Sequence, residues 1–400
     1  MSAPVLLTFN PGSSTIKLGL FAVEAGAPRR IGKAVVDLRQ HPLRLRLDKD
    51  GTTTDIPLDA AVTEDLLAVT EEILAWLAGR FPKGALAGAG HRVVHGGDRF
   101  AHAEAITEKT LAEIEALVPL APLHQPQSVR LIKAIRYLRP NLPQTASFDT
   151  AFHRSQDDLT RRFALPRALF DEGIKRFGFH GLSYKSIAAQ LEDVAPDVAG
   201  GRVVVAHLGS GASLCALNAG VSRDTSMGFS TLDGIPMATR CGTLDPGVLI
   251  HLIKQRGMSV EAVEEMLYHR SGLLGVSGIS ADSRDLVGSQ DPAAREALEL
   301  FAFRIARETA ALANTLGGLD AIVFTAGIGE HQPEIRSGVC KRLAWLGVGL
   351  DAAANARNAS RIEASSSRAS ILVIPTDEEK VIATEACAVL FGEMGAKRLA

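Results

Sequence analysis

Residues 5–15 read VLLTFNPGSST and are followed by IKLGLF at residues 16–21. Two apolar runs separated by a turn of small and hydroxyl-bearing residues predict two strands joined by a tight turn, with Lys17 just past it. A turn without bulky side chains lets backbone N–H groups approach an anion closely, and the hydroxyl groups add donors. The stretch is therefore typical of a phosphate-binding hairpin.

The same arrangement returns in the second half of the chain. RVVVAHL at residues 202–208 leads through GSG at 209–211 into ASLCALN at 212–218. Two such hairpins, one in each half, predict a duplicated nucleotide-binding fold rather than one isolated loop.

Composition and charge limit the class of protein. The chain has 400 residues, of which 46% are hydrophobic and 22% charged, with a net charge of −2. This length predicts two domains. The basic residues are scattered along the chain, so they create no electrostatic field that would favour binding to nucleic acid or to an anionic membrane. The apolar runs are too short for a signal peptide or a membrane span. Four widely spaced cysteines argue against a zinc site or a disulfide framework, so we expect a cytoplasmic protein with no nucleic-acid or membrane partner.

Strand-like runs alternate with helical runs, which predicts an α/β fold. We expect strands at Leu86–Val94, Gln144–Phe148, Arg202–Leu208, Ala321–Thr325 and Ile371–Ile374, and helices at Val62–Arg80, Ile106–Val118, Val260–Tyr268 and Pro292–Leu316. The last helix is well delimited, since Asp291 suits the N-cap and Gly317 the C-terminal end. Residues 376–379 (TDEE) predict a capping box in which Glu379 serves the cap of a C-terminal helix.

No low-complexity linker separates the two halves. We place an N-terminal domain at residues 1–150, a connecting segment with site residues at 151–200 and a C-terminal nucleotide-binding domain at 201–376. The helix around 377–400 is expected to complete the first domain.

Polar residues crowd the ends of the predicted strands, where α/β folds carry their chemistry. If the small-residue loops bind ATP, phosphoryl transfer needs mainly positive charge and hydrogen-bond donors around the moving group. Arg92 and Arg240 offer guanidinium forks, and His180 offers a further donor. Asp149 and Glu378, with the side-chain oxygen of Asn10, offer hard ligands for Mg²⁺. No P-loop sequence occurs in the chain, so that architecture is excluded.

Each residue also has an ordinary structural explanation. Arg92 and Arg240 would serve equally as ion-pair partners, and His91 and His95 as buried structural histidines. Glu378 lies in the first turn of a helix, where a carboxylate is favoured whatever the function. A glycine loop such as residues 327–329 is often plain turn chemistry. Only the joint occurrence of the motifs favours the functional interpretation.

Taken in order, these motifs resemble those of the acetate kinase family across essentially the whole chain. The matching segments are Asn10 with Gly12-Ser13-Ser14 and Lys17, HRVVHGG at 91–97, SFDTAFH at 147–153, FGFHG at 177–181, AHLG at 206–209 and GIGE at 327–330. The resemblance implies the acetate and sugar kinase/Hsp70/actin superfamily, with a duplicated ribonuclease-H-like (actin-like ATPase) α/β fold whose two domains flank an active-site cleft. It also implies a homodimer that reversibly transfers the ATP γ-phosphate to acetate, giving acetyl phosphate and ADP, with Mg²⁺ as cofactor and Mn²⁺ as a substitute.

The resemblance further implies roles for individual residues. Asn10 and Glu378 would hold the metal, Arg92 would bind substrate, Asp149 would be the catalytic carboxylate, and His180 and Arg240 would stabilise the transition state. Val94, Leu123 and Phe179 would form the apolar pocket for the acetate methyl group. The nucleotide would be bound by Lys17, His207, Leu208, Gly209, Ser210, Gly211, Asp282, Ser283, Arg284, Gly327, Ile328, Gly329, Glu330 and His331. Because acetate is already ionised at neutral pH, we expect Asp149 to orient the metal or the carboxylate rather than to remove a proton.

Four positions depart from the family's usual pattern: Pro11, Ser210, Thr231 and His331. Thr231 stands where a proline commonly walls the acyl pocket, and one methylene changes binding by only ~1–3 kcal/mol. A propionate or other short-chain acyl kinase therefore stays open as an alternative, whereas a butyrate-specific enzyme fits the motif set less well. A non-enzymatic actin- or Hsp70-like ATPase is a further alternative; it would keep the phosphate loops but would need neither Arg92 nor Arg240.

Overall fold

The computed structural model describes residues 3–12, 15–49, 51–61, 66–79 and 85–392. The chain divides into two compact units: Met1–Phe152 with Asp377–Ala400, and His153–Thr376. Ser13 and Ser14 of the first predicted turn lie outside the described residues. No helix of the described chain is both long and apolar enough to cross a membrane.

The first unit is built on an eight-stranded sheet whose strand order is β5-β4-β3-β2-β1-β6-β8-β7. Side chains of β1 alternate between two hydrophobic clusters, since Leu7 and Phe9 pack with Val69 and Ile73 whereas Leu6 packs with Ala383 and Leu390. The strands are β1 (Val5–Pro11), β2 (Thr15–Glu24), β3 (Ala27–Asp37), β4 (Arg44–Lys49), β5 (Thr52–Pro57), β6 (Leu86–Val93), β7 (Glu104–Ala105) and β8 (Gln144–Phe148). The helices before residue 149 are α1 (Leu67–Ala78), α2 (Glu108–Ala116) and α3 (Gln125–Leu138), with a 3-10 turn at Val118–Leu120. A second 3-10 turn, Asp149–Ser155, contains the last residues of the first unit and the first residues of the second.

The second unit contains a five-stranded sheet in the order β11-β10-β9-β12-β13. The long helix α12 packs on this sheet and has the predicted bounds, with the Asp291 side chain accepting a hydrogen bond at its N-cap and Gly317 at its C-cap. The strands are β9 (Arg202–Leu208), β10 (Ala212–Asn218), β11 (Val221–Thr225), β12 (Ala321–Thr325) and β13 (Ser370–Val373). The helices are α4 (Asp158–Arg161), α5 (Arg167–Asp171), α6 (Gly181–Val194), α7 (Pro196–Ala199), α8 (Pro246–Lys254), α9 (Val260–His269), α10 (Gly272–Ser277), α11 (Ser283–Gly288), α12 (Pro292–Leu316), α13 (Ala326–His331), α14 (Pro333–Arg342) and α15 (Ala352–Ala356), with a 3-10 turn at Ala344–Leu346.

The two sheets repeat one topology. In β3-β2-β1-β6-β8 the first two pairings are antiparallel and the last two parallel. The order β11-β10-β9-β12-β13 has the same two antiparallel and two parallel pairings. In each unit the hairpin predicted from sequence supplies the central antiparallel pair. The predicted α/β duplication is therefore confirmed.

Helix α16 (Glu378–Phe391) belongs to the first unit, where it packs on the sheet through Ala383, Ala386 and Leu390. Its N-cap is Asp377, whose side chain accepts a hydrogen bond from the backbone N–H of Lys380 at 3.0 Å. The predicted capping box is therefore wrong by one residue. The carboxylate of Asp377 also pairs with Arg30 on β3, so the capping residue makes a second contact within the first unit.

The other element boundaries shift slightly from the predictions. Thr107 accepts a hydrogen bond as N-cap, so α2 runs from Glu108 to Ala116 instead of over the predicted residues 106–118. Helix α9 begins at Val260 as predicted, after its N-cap Ser259, and ends one residue later than predicted, at His269. The strand predicted to Val94 ends at Val93, and the one predicted to Ile374 ends at Val373. The helix predicted over residues 62–80 is shorter in the structure, where α1 runs from Leu67 to Ala78 between the N-cap Leu66 and the C-cap Gly79. Residues 62–65 and 80 of the prediction lie outside the described residues.

Candidate active site

Arg92 and Asp149 form a nearly buried ion pair in the first unit. Arg92 lies on β6 and Asp149 directly follows β8, the adjacent parallel strand. Nε and Nη2 of Arg92 donate to Oδ2 of Asp149 at 3.0 and 2.6 Å, and the Asp149 side chain is only 1% exposed. Burial opposes the charge of Arg92, but the attraction of Asp149, Glu378 and Glu379 outweighs it and raises the arginine pKa. The pair therefore supplies a permanent cation in a set orientation.

Asn10 joins two carboxylates at the start of α16. Its Nδ2 donates to Oε2 of Glu378 at 2.7 Å and to Oε1 of Glu379 at 2.8 Å. Its Oδ1 accepts from Nη1 of Arg92 at 3.4 Å. The expectation that Glu379 serves mainly the helix cap is therefore wrong, because both glutamates face the same amide.

This donor set suits Mg²⁺, which proteins commonly hold through one or two carboxylates together with waters and substrate phosphates. Glu378 and Glu379 bring carboxylate oxygens to one place around Nδ2 of Asn10, whose Oδ1 faces Arg92. A reversal of this amide, whose two ends are nearly identical in shape, would turn its oxygen toward the carboxylates and a bound ion. Within the described ranges, no group of three or more histidine, cysteine, aspartate or glutamate side chains is arranged to hold a metal ion. Mg²⁺ commonly completes its coordination with phosphate oxygens and water.

The remaining predicted residues of the first unit differ in exposure. Lys17 on β2 pairs in register with Asn10 and, with Glu379, lines a cavity of about 430 Å³. Val94 is buried just after β6, whereas the Leu123 side chain before α3 is 42% exposed. His91 and His95 are buried, and burial lowers the pKa of each to about 4, which agrees with structural roles.

In the second unit, His180 and Arg240 converge on Gly211. A Cβ atom added to Gly211 would lie 3.4 Å from Nε2 of His180 and 3.8 Å from Nη1 of Arg240. The Gly209 N–H donates to the Gly211 carbonyl at 3.1 Å and closes the turn. The structure thus brings an imidazole, a guanidinium and a backbone turn to one point, a combination of donors that suits an anion.

The His180 ring is held by residues that sequence reasoning missed. Its Nδ1 lies 2.7 Å from Oγ of Ser213, which also contacts the hydroxyl of Tyr184. The ring stacks on His207 with a centroid separation of 4.3 Å, and Nδ1 of His207 contacts Ser183 Oγ at 2.8 Å. A signal for Ser213 exists in the sequence, since it is a polar residue inside the otherwise apolar strand that follows the glycine turn.

The loop carrying Arg240 is fixed by backbone contacts. The Ala238 N–H donates to the Ser210 carbonyl at 3.2 Å, which ties this loop to the glycine turn. Thr239 Oγ1 donates to the Tyr268 carbonyl at 2.7 Å. Gly272 has φ +61°, and a Cβ there would lie 2.1 Å from the Met237 carbonyl oxygen, so no larger residue fits. The Thr231 carbonyl accepts from Nη1 of Arg240 at 3.4 Å.

Two further predicted nucleotide segments meet in the second unit. Gln332, just after α13, donates to Ser283 Oγ at 2.7 Å and so links residues 282–284 to 327–331. Arg284 pairs with Asp282 and lowers the pKa of that carboxyl. Glu330 Oε1 accepts from the Ala326 N–H at 2.8 Å, which supports the turn, whereas Gly327 is exposed with open space beside it. Arg336, which sequence reasoning missed, is fully buried and donates to the Gly329 carbonyl at 2.8 Å.

Comparison with known proteins identifies the family. The Acetokinase family model matches residues 5–384. The acetate kinase of Rhodopseudomonas palustris is 49% identical over 388 residues, covering 95% of this chain and 96% of the relative. That of Methylocella silvestris is 43% identical over 396 residues, covering 96% and 98%. Among solved structures, a propionate kinase from Francisella tularensis has a TM-score of 0.88 at 33% identity, covering 96% of this chain and 98% of that one. The Porphyromonas gingivalis acetate kinase has a TM-score of 0.85 at 32% identity, covering 97% and 100%. The predicted resemblance is confirmed, and the chain belongs to the acetokinase family.

Proposed function

We propose that the chain catalyses the reversible transfer of the ATP γ-phosphate to acetate, giving acetyl phosphate and ADP. The convergence of His180 and Arg240 on Gly211 is the observation that carries the proposal. Relatives named acetate kinase, 43–49% identical over nearly the whole chain, support it.

The chemistry is a direct in-line displacement. A carboxylate oxygen of acetate forms a bond to the γ-phosphorus while the bond to the bridging oxygen breaks, and that electron pair leaves with ADP. No proton moves, because acetate is already ionised at neutral pH. Catalysis then rests on positioning and on donors placed where charge develops.

Arg92 binds the acetate carboxylate, and Asp149 holds the guanidinium in orientation. The two hydrogen bonds from Arg92 to one oxygen of Asp149 support these two roles. Val94, Leu123 and Phe179 are proposed to enclose the methyl group.

His180 and Arg240 donate to the transferred phosphoryl group. The nucleotide is bound by Lys17 and by the backbone and side chains of three segments, of which residues 207–211 and 327–331 contain glycine. We assign this role to Lys17, His207, Leu208, Gly209, Ser210, Gly211, Asp282, Ser283, Arg284, Gly327, Ile328, Gly329, Glu330 and His331.

Asn10 and Glu378 would hold Mg²⁺, directly or through water, with Mn²⁺ as a substitute. When bound, the ion offsets the negative charge of the phosphates. The hydrogen bonds from Asn10 to Glu378 and Glu379 support this assignment, and they add Glu379 to the set.

A short-chain acyl kinase that prefers propionate is a second candidate. Two observations favour this second candidate: Thr231 replaces the usual proline, and the chain is structurally similar to a propionate kinase. Hydroxamate detection of the acyl phosphate made from ATP with acetate, propionate or butyrate separates the candidates. Highest kcat/KM with acetate supports the first proposal, highest kcat/KM with propionate supports the second, and no acyl phosphate from any acid refutes both.

We also propose a homodimer located in the cytoplasm. Helix α8 supports the dimer, because it is rich in aliphatic side chains yet has no buried residue; Ile250, for example, is 56% exposed. The free thiols of Cys215, Cys241, Cys340 and Cys387 are in keeping with a reducing compartment. Sedimentation of wild type and Ile250→Glu tests the dimer; a wild-type monomer would contradict it.

A further inference from the structure

His153 and Ser222 form a buried pair in the second unit that the proposed mechanism does not use. The His153 side chain is 1% exposed and that of Ser222 is 0%. Nδ1 of His153 lies 2.9 Å from Ser222 Oγ, and Nε2 lies 3.0 Å from the carbonyl oxygen of Phe179. This carbonyl belongs to the peptide group that joins Phe179 to His180.

The contact with Phe179 determines the protonation state of His153. A carbonyl oxygen only accepts hydrogen bonds, so Nε2 carries the proton and donates. Burial lowers the pKa of His153 to about 4, so the ring is neutral at physiological pH and Nδ1 accepts from the Ser222 hydroxyl. Ser222 Oγ in turn accepts from Nε2 of Gln156 at 3.1 Å. Both ring nitrogens are thereby engaged and the ring has one orientation.

The backbone that His153 contacts is an unusual one. His180 has φ 57° and ψ 24°, the left-handed conformation, directly before α6. A non-glycine residue in this region needs support from its surroundings. Gly178 has φ +78°, and a Cβ there would lie 2.6 Å from Cδ2 of His153, so the His153 ring packs directly against this turn. Residues 178–180 are thus held at the backbone by His153, and at the His180 ring by Ser213.

We propose that His153 is a positioning residue whose Nε2–H anchors the Phe179–His180 peptide and thereby holds the His180 imidazole beside Gly211. The inference rests on the proposed function, in which His180 donates to the transferred phosphoryl group. His153 acts only through the backbone. Since a displacement of about 1 Å at a reacting centre costs about 100-fold in rate, loss of this anchor should lower kcat more than it alters ATP binding.

Glutamine and asparagine separate the two hydrogen bonds of His153. The amide nitrogen of glutamine reaches the place of histidine Nε2, whereas that of asparagine reaches only the place of Nδ1. We expect His153→Gln to keep kcat within about 3-fold of wild type, and His153→Asn to lower it about 10- to 100-fold with KM for ATP within about 2-fold. Equal losses in the two variants, or no loss in His153→Asn, would overturn the proposal.

Two NMR measurements test the role of His153 without requiring enzymatic turnover. The Cε1–H resonance of His180, assigned with His180→Gln, should shift in His153→Asn and stay in place in His153→Gln; no shift in His153→Asn overturns the proposal whatever the activity. If wild type makes no acyl phosphate but the resonance shifts, the proposed function fails and the positioning role stands. In the wild type, ¹⁵N shifts should show a neutral His153 protonated at Nε2, and an Nδ1–H tautomer or an imidazolium at neutral pH would contradict the anchor even if His153→Asn fails to fold.

Discussion

Replacing Arg92 with alanine should destabilise the first unit, because it leaves Asp149 buried without its cation. The Asp149 side chain is 1% exposed, and Arg92 gives it two hydrogen bonds of 3.0 and 2.6 Å. Removing one partner of a buried ion pair costs about 3–5 kcal/mol, since the other charge stays unpaired. Arg92 also attracts Glu378 and Glu379, so its loss leaves further uncompensated negative charge. We expect the free energy of unfolding to fall by an amount in this range.

Urea denaturation followed by Trp76 fluorescence measures this loss in the first unit. Trp76 on α1 packs against the core of that unit, and Trp345→Phe removes the second tryptophan, so the signal reports one unit only. The double variant Arg92→Met with Asp149→Leu removes both charges and is the control. It should recover the part of the loss that comes from the unpaired Asp149 charge, because an apolar pair can replace a buried ion pair at little cost, yet stay inactive. An Arg92→Ala variant that unfolds at the wild-type urea concentration would refute the reasoning.

Three further predictions concern the helix cap, the glycine turn and the buried histidines. Asp377→Ala should cost about 0.5–2 kcal/mol in the same urea assay, whereas Glu378→Ala should raise the Mg²⁺ concentration needed for half-maximal activity; an unchanged Mg²⁺ requirement would count against the metal assignment. Gly211→Ala should lower kcat/KM at least about 10-fold, because its methyl group would fill the space beside His180 and Arg240. Gly200→Ala, whose methyl group meets nothing within 4 Å, is the matched control, and equal activities would argue against the convergence. Acidification should lower the free energy of unfolding between pH 6.5, the ordinary histidine pKa, and about 4, the pKa of the three rings in the folded chain. In this window the histidines of the unfolded chain bind protons, whereas the buried rings of the folded chain stay neutral, and the loss should level off below about 4. The slope is up to about 1.4 kcal/mol per pH unit for each ring, and a stability that stays flat over this window would contradict neutral His91, His95 and His153.

The sequence predicts the fold well where local signals agree. The two glycine hairpins mark the β1-β2 pair of the first sheet and the β9-β10 pair of the second, and Asp291 with Gly317 delimits α12 to the residue. The cap of α16 is mispredicted because two adjacent residues, Thr376 and Asp377, both suit an N-cap. The ion pair of Asp377 with Arg30 on β3 accompanies the cap that forms, and local pattern cannot anticipate such a distant partner.

The candidate site is predicted as a set of residues but not as a set of contacts. Arg92 and Asp149 are recognisable at strand ends, yet their pairing depends on two parallel strands lying side by side. The link from Asn10 to Glu379 spans nearly the whole chain, so sequence alone assigns Glu379 to the local helix end. Arg336 lies in a largely polar helical segment, and nothing in that pattern indicates that it is fully buried.

Binding of a transition-state mimic tests the central claim most directly. MgADP with aluminium fluoride and acetate imitates the flattened phosphoryl group in transfer, and groups that act on that state should bind the mimic more tightly than ADP alone. Titration calorimetry should show tight binding to wild type, binding to His180→Gln and Arg240→Ala that is weaker by about 10-fold or more, and similar binding of MgADP by all three. Variants that bind the mimic as tightly as wild type would contradict the claim that His180 and Arg240 act on the moving phosphoryl group.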